Sequence, residues 1–311
     1  MNLAPIVLFV YNRPLHTQKT LEALSNNELA DESTLYIYAD GPKADATDAQ
    51  LKKIEETRNV IRTKEWCKEV IIIESPSNNG LANSIVKGVT DIVNKHGKII
   101  VLEDDLITSV GFLKYMNDAL TLYEPESKVM HVSGYIYPVK TKDQSDQTFF
   151  LNILSCWGWG TWARAWKHYD HDTNVHLEHL NSKKKINDFN IQGHADYYYQ
   201  LILNRDGKLY TWAVKWYASW LFAGGYSLFP YKSLTLNNGF DDTGTNSKSE
   251  SGFYSAPTDY IEVTKTDLKE DLYYRKQVDS FYAKTIPHFK IKFILLLKKY
   301  NIYSTLKKLV K

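Results

Sequence analysis

The stretch "IIVLEDDLITS", residues 99–109, decides how the chain is read. Four apolar residues run into Glu103, Asp104 and Asp105, and the chain then turns apolar again. An apolar run without polar alternation is the pattern of a strand buried on both faces. Three acids at its end either stop the strand in solvent or gather something positive. Successive strand residues alternate faces, so the three cannot all do one job.

Upstream, the same pattern repeats. Strands are predicted at "PIVLFVY" (5–11), "TLYIYAD" (34–40), "EVIIIES" (69–75) and "KIIVLED" (98–104). Between them lie helices over about 15–29, 45–63 and 81–97. The last carries Leu81, Ile85, Val89 and Ile92 at three- and four-residue spacing and stops at Gly97. Strands and helices in strict alternation imply βαβ units and a parallel sheet. In such sheets ligands sit beyond the carboxyl ends of the strands. Those ends read Tyr11-Asn12-Arg13-Pro14, Ala39-Asp40-Gly41-Pro42, Ser75 to Gly80, and Glu103-Asp104-Asp105. Each alone is an ordinary turn signal; all four on one rim are not.

Composition narrows the classes. The 311 residues suffice for one large α/β domain or two small ones. A net charge of +2 gives no global field for nucleic acid. Cys67 and Cys156 form neither a disulfide framework nor a metal pattern, which predicts a reducing, cytoplasmic setting. No signal peptide is read at the start, and the apolar run 5–11 is too short to span a membrane. Aromatics make up 14% of the chain, and many cluster between 149 and 231. They suit either stacking on sugar rings or a core of large residues, and the sequence leaves the two level.

Beyond "FFLNILSCWGWGTWARAW" (149–166), a polar helical stretch is expected over about 178–205. A helix ending at Gly224-Gly225 follows, then a strand to Pro230, a loop over 237–246 and a mobile stretch over 247–258. In the tail 287–311, helical spacing sets Phe293, Leu296, Leu297 and Ile302 against seven lysines. That pattern predicts a basic amphipathic helix on an anionic membrane surface, the rival being a terminal helix packed on the domain. "GWGTWA" (158–163) formally fits a dinucleotide fingerprint, but Trp159 would crowd a pyrophosphate and no first βα turn precedes it. His168, His171, His176 and His179 crowd one stretch without a supporting cysteine, and a polar surface is the expectation.

Taken together, "PIVLFVYNRP", "YADGP", "NNGLANSI", "VLEDDL", "CWGWGTWARAW" and "AGGYSLFPYKSLTLNNGFDDTGTN" resemble the GT-A glycosyltransferases. The nearest flavour is the group similar to N-acetylglucosaminyltransferase I, with bacterial surface-polysaccharide transferases; the resemblance covers roughly 3–246. It implies a Rossmann-like, mostly parallel sheet flanked by helices. The implied division is a catalytic domain over 1–246, with a nucleotide half (1–107) and an acceptor half (108–246). A loop and helical extension (247–286) and the basic tail (287–311) follow.

The resemblance also implies roles. Tyr11, Asn12 and Arg13 would cradle base and ribose, Asp40 would accept from the base edge, and Asn79-Gly80 would lie near ribose or sugar. Asp104 would meet the ribose or a metal-bound water, Asp105 would hold Mn²⁺ or Mg²⁺, and Glu103 would orient its neighbours. The implied activity is hexosyl or N-acetylhexosaminyl transfer in surface-polysaccharide synthesis. The donor would be a nucleotide-diphosphate sugar, UDP-linked by preference, and the acceptor a glycan or lipid-linked saccharide at the inner membrane face. The pattern fails at one point. Inverting members keep a carboxylate at the start of the helix before the "Gly-Tyr…Pro" strand, and here no acid occurs between Asp206 and Asp241. Asp241 and Asp196 are the leading candidate bases, with Asp206 and Asp242 behind them. A sugar nucleotidyltransferase, or a non-catalytic carbohydrate-binding protein on the same fold, are the alternatives. The first needs a Gly-rich basic loop that residues 11–18 lack.

Overall fold

The computed structural model describes residues 3–142, 147–239 and 251–286. The first third alternates as expected: β1 (Ile6–Val10), α1 (Pro14–Ser25), β2 (Thr34–Ala39), α2 (Asp48–Val60), β3 (Glu69–Glu74), α3 (Leu81–His96) and β4 (Lys98–Glu103). There follow β5 (Leu106–Thr108), α4 (Phe112–Leu122), β6 (Val129–Ser133), β7 (Thr148–Leu151), β8 (Trp159–Trp162) and α5 (Ala163–Trp166). The predicted stretch 178–205 divides into α6 (Thr173–His179), α7 (Lys183–Phe189) and α8 (Tyr197–Arg205). Then come α9 (Ala213–Phe222), β9 (Tyr226–Pro230), β10 (Thr235–Asn237) and α10 (Leu272–Thr285).

Local chemistry sets these boundaries. Pro14 opens α1 where its missing N–H costs nothing. Thr47 and Gln50 close a capping box on α2. Gly97 ends α3 in the left-handed region at φ 82°, its N–H returning to the Val93 carbonyl at 2.8 Å.

Eight strands form one sheet in the order β3-β2-β1-β4-β8-β6-β9-β7. The four leading strands are parallel; β8 runs antiparallel to both β4 and β6, β9 is parallel to β6, and β7 is antiparallel to β9. This is an α/β fold with a mostly parallel sheet. The expected halves 1–107 and 108–246 meet inside it, at the β4–β8 pairing. β5 and β10 form a separate antiparallel pair.

The apolar runs divide by alternation. Leu8, Val10, Ile100 and Leu102 face one core with α1 and α4. Val7, Phe9, Ile99 and Val101 face the other, with α3, α5 and α9. This second core takes most of the aromatic cluster: Trp159, Trp166, Trp212, Trp216 and Trp220 are all buried there. Of residues 251–286, expected as loop and extension, the stretch from Glu270 to Tyr274 lies on the far sheet edge. Phe149 of β7 stacks on Tyr274 of α10 at 3.7 Å, and Phe150 bridges to Glu270.

Within the aromatic core sits His131 of β6. Its Nδ1 accepts from the Trp216 indole N–H at 3.2 Å, and its Nε2 donates to the Ser155 carbonyl at 2.9 Å. Those partners require the neutral ring with the proton on Nε2, because a proton on Nδ1 would face another donor. Burial pushes its pKa down to about 4, the Ser155 bond only partly opposing. The unfolded chain takes up a proton near pH 6.5 that the fold refuses until about pH 4. The neutral ring therefore contributes full stability above pH 6.5, and that contribution is lost as pH falls through this window, by up to about 3 kcal/mol. Urea melts at pH 7 and 4.5 are expected to show His131→Gln less stable than wild type at pH 7 but losing less on acidification.

Candidate active site

Strand register builds the rim. Val10 pairs with Ala39, Ala39 with Glu74, and Phe9 with Glu103. The next residues along, Tyr11, Asp40, Ser75 and Asp104-Asp105, therefore leave the sheet side by side.

At the centre are the three acids. Arg13, the residue before α1, donates from Nη1 to Asp105 Oδ2 at 2.8 Å and lies 3.8 Å from Asp104 Oδ1. The backbone N–H of Tyr11 also bonds the Asp104 carboxylate. These contacts do not win. Burial first, and Asp105 beside it second, hold Asp104 up at about 7. Burial with both neighbouring acids holds Glu103 at about 8. One guanidinium is thus shared by Asp104 and Asp105, with a third acid beside them, and the group retains affinity for further positive charge, proton or cation.

A hard divalent cation fits this donor set. Mg²⁺ is commonly held by one or two carboxylates completed by substrate phosphates. Asp104 and Asp105 already turn carboxylate oxygens to one cationic nitrogen. Among the described residues, no three His, Cys, Asp or Glu side chains are grouped to hold a metal unaided.

Asp40, expected at the base edge, is engaged by donors of the protein itself. Its Oδ1 accepts from the backbone N–H of Gly41 and Asn79, both at 2.9 Å, and from Asn79 Nδ2 at 3.4 Å. Its Oδ2 accepts from Asn78 Nδ2 at 2.9 Å and the Gly80 N–H at 3.1 Å. A carboxylate offers about four lone-pair sites, so the protein itself consumes them. Asp40 ties the β3–α3 loop to the rim and fixes Asn79 and Gly80, the latter at φ 77°, ahead of α3. Tyr11 stands beside it: burial and the Asp40 charge raise its hydroxyl pKa, opposed by the Lys43 N–H. Asn12 is half-buried on the same rim.

The β5–β10 pair lays a second segment over the acids. Asn238 N–H donates to the Asp105 carbonyl at 2.8 Å, and a Cβ at Gly239 would collide with the Asp105 carboxylate. Asp241 and Asp242 lie outside the described residues, as does the tail 287–311.

Beside the acids opens an aromatic cavity of about 300 Å³. Val101 pairs with Trp159 at the start of β8, and the turn before it, at Gly158, leads back to Cys156, which feels the charges of Glu103 and Asp105. Burial, Glu103 and Asp105 all push the Cys156 thiol up. Asp196, before α8, is on the cavity wall and accepts from Gln200 Nε2 at 2.7 Å. Ala213 and Val214 of α9 line it too, and the first turn of α9 holds no acid. Asp206 pairs instead with Arg205 at 2.8 Å. Tyr135, Tyr137, Trp157, Phe253 and Tyr282 were not singled out by sequence reasoning. Their only signal was aromatic density, which most of the tryptophans spend on the core. The histidine run also disperses: His171 meets Tyr169, His176 the Asp170 carbonyl, and His179 stacks on Phe222.

No protein-family profile and no curated protein matches the chain. Solved structures do. Staphylococcus aureus TarS is 16% identical over 50% of this chain and 28% of its own, with a TM-score of 0.31. Its fragment 1–349 is 12% identical over 65% of this chain and 72% of its own, with a TM-score of 0.36. Mouse xyloside xylosyltransferase 1, in its apo form, is 11% identical over 71% and 81%, with a TM-score of 0.35. A UDP-glucose pyrophosphorylase complexed with UDP-glucose is 11% identical over 54% and 79%, at 0.30. The chain thus spans little more than a quarter of the full-length TarS chain. Overlaps this partial carry no weight for the activity. Among the described residues, no helix is long and apolar enough to cross a membrane.

Asp40→Asn would turn an amide N–H₂ toward backbone donors. It is expected to cost about 2 kcal/mol or more in chemical denaturation, with hydrogen exchange accelerated at Asn79 and Gly80.

Proposed function

We propose that the protein is a GT-A glycosyltransferase moving a sugar from a nucleotide-diphosphate donor, UDP-linked by preference, to a glycan or lipid-linked saccharide. The observation that carries this reading is the acidic end of β4: three acids on the rim of a parallel sheet, short of positive charge, with an aromatic cavity alongside. The basic tail, by its sequence, supports work at the inner face of an anionic membrane in surface-polysaccharide synthesis.

In this reading Tyr11, Asn12 and Arg13 bind base and ribose, with Asn79 and Gly80 near the ribose or sugar. Asp40 acts on them through the loop it holds. Asp104 serves the ribose side and Asp105 takes Mn²⁺ or Mg²⁺. A metal so held neutralises charge on the departing diphosphate. Glu103 orients its neighbours. In the transfer, the bond between the sugar's anomeric carbon and the β-phosphate oxygen breaks and the acceptor oxygen bonds to that carbon. The acceptor proton passes to a carboxylate, and the nucleoside diphosphate leaves. Asp196 stands on the cavity wall and is one candidate for that carboxylate. Asp241, two residues after Gly239 in the chain, is the other. The acid-free first turn of α9 favours, as a second reading, a carbohydrate-binding protein without turnover.

Calorimetric titration with UDP and GDP, with and without Mn²⁺, tests the donor site. Mn²⁺-dependent nucleotide binding is expected, weakened about 10–100-fold in Asp105→Ala. Absence of nucleotide binding at millimolar concentration, or binding untouched by the substitution, would sink the proposal. Asp196→Asn separates the candidate bases: a loss of about 100-fold or more in transfer at unchanged UDP affinity is expected if Asp196 takes the proton, and no loss assigns the role elsewhere.

A further inference from the structure

We infer that the aromatic cavity is the subsite for a single saccharide ring of the acceptor, and that the C-terminal segment 251–286 supplies its specificity-determining wall through Phe253 and Tyr282. The acceptor role rests on the transferase reading above; the saccharide site does not.

Size limits the occupant. About 300 Å³ lies at the small end of ligand pockets and admits a saccharide ring. The neighbouring aromatic core, with Trp166 and Trp216 centroids 4.8 Å apart, closes tightly.

The chemistry of the wall selects a sugar. The tyrosine hydroxyls are turned to one another and to backbone. Tyr137 donates to the Leu154 carbonyl at 3.1 Å, Tyr282 to Tyr137 at 3.2 Å, and Tyr217 to the Asn152 carbonyl at 3.0 Å. What remains for a ligand is chiefly aromatic carbon, with the polar groups Asp196 and Gln200 along one side. A pyranose has that division: C–H groups across a ring face and hydroxyls around its edge.

The segment 251–286 is fixed against the cavity, not draped over it. Tyr135 donates to the Phe253 carbonyl at 2.7 Å, and the Phe253 ring meets Tyr137 at 6.1 Å and Trp157 at 6.3 Å. Tyr282 meets Tyr137 at 5.2 Å. Asp271 caps α10, the helix that carries Tyr282, by accepting from the Tyr273 and Tyr274 N–H groups at 2.9 and 3.0 Å. Residues outside the sheet therefore face the incoming ring, while Trp157 and Cys156 connect the same cavity to the acids.

The test uses the full chain without nucleotide. Methyl glucoside, methyl galactoside and N-acetylglucosamine are titrated by tryptophan fluorescence and protein-detected NMR, with indole as the apolar control probe. At least one sugar is expected to saturate in the millimolar range. Phe253→Ala and Tyr282→Ala should each weaken it about tenfold, and Tyr282→Phe by less than about threefold. Phe253→Leu replaces Phe253→Ala should the latter fail to fold. Saturation by indole alone, or sugar affinity unchanged in the folded Phe253 variant, overturns the inference. Parallel UDP titration in Mn²⁺ should be unaffected by these variants. Sugar binding without UDP binding removes the transferase reading and leaves the saccharide site; UDP binding without sugar binding does the reverse.

Discussion

Placing carboxylates at the end of a buried strand is the constraint around which the rest of the structure is arranged. Taking charge out of water is costly, and the cost is visible in the raised pKa values of Glu103 and Asp104. The fold answers with its shortest connection. Only Tyr11 and Asn12 stand between β1 and Arg13, and Pro14 starts α1 at once, so the guanidinium has little choice but to lie over the end of β4. β1 and β4 must be neighbours for this to work, and they are. The compensation is partial, and the raised pKa values of Glu103 and Asp104 record what Arg13 leaves unmet.

The second half of the sheet matters because of where it joins the first. β4 has a parallel neighbour on one side and the antiparallel β8 on the other. The parallel run ends there, and α/β sheets tend to open a crevice at such a switch. Because β8 runs backwards, its entry segment 154–157 arrives at the carboxyl end of β4 rather than at the far end. An aromatic wall is thereby delivered to the acids by strand direction alone. A parallel β8 would have left Trp157 on the opposite edge of the sheet.

The first hundred residues were legible because β1, β2 and β4 are buried on both faces and β3, at the sheet edge, is still an unbroken apolar run between its terminal acids. α3 was legible from its spacing and its terminal Gly97. The second half was harder to read. β7 and β8 are four residues each inside one aromatic stretch, where strand alternation and bulk look alike. Trp157 and Trp159 are two residues apart, yet one lines the cavity and the other is buried in the core. No local pattern separates them, since the difference lies in whether β8 has begun. The Arg13–Asp105 pair spans 92 residues of sequence, and nothing in either neighbourhood names the partner. The surroundings of Asp40 were hidden for a related reason. An acid at a strand end reads as ligand-facing, and only the folded β3–α3 loop reveals that five donors already claim it.

The outer strand β7 explains why one segment carries two tasks. An exposed sheet edge invites pairing with other chains, and proteins cover it. Here Glu270, Asp271 and α10 do so: Asp271 N–H donates to the Phe150 carbonyl, Glu270 accepts from the Asn152 N–H, and Tyr274 stacks on Phe149. The same helix presents Tyr282 to the cavity two turns further on. Its inner end is thus constrained by strand protection and its outer end by whatever the cavity receives. Phe253 lies on the far side of that division, held through its backbone by Tyr135 and through its ring by Phe281 and Tyr282. A chain built this way can change the wall facing its ligand while leaving untouched both the acids of β4 and the edge that keeps the sheet from associating.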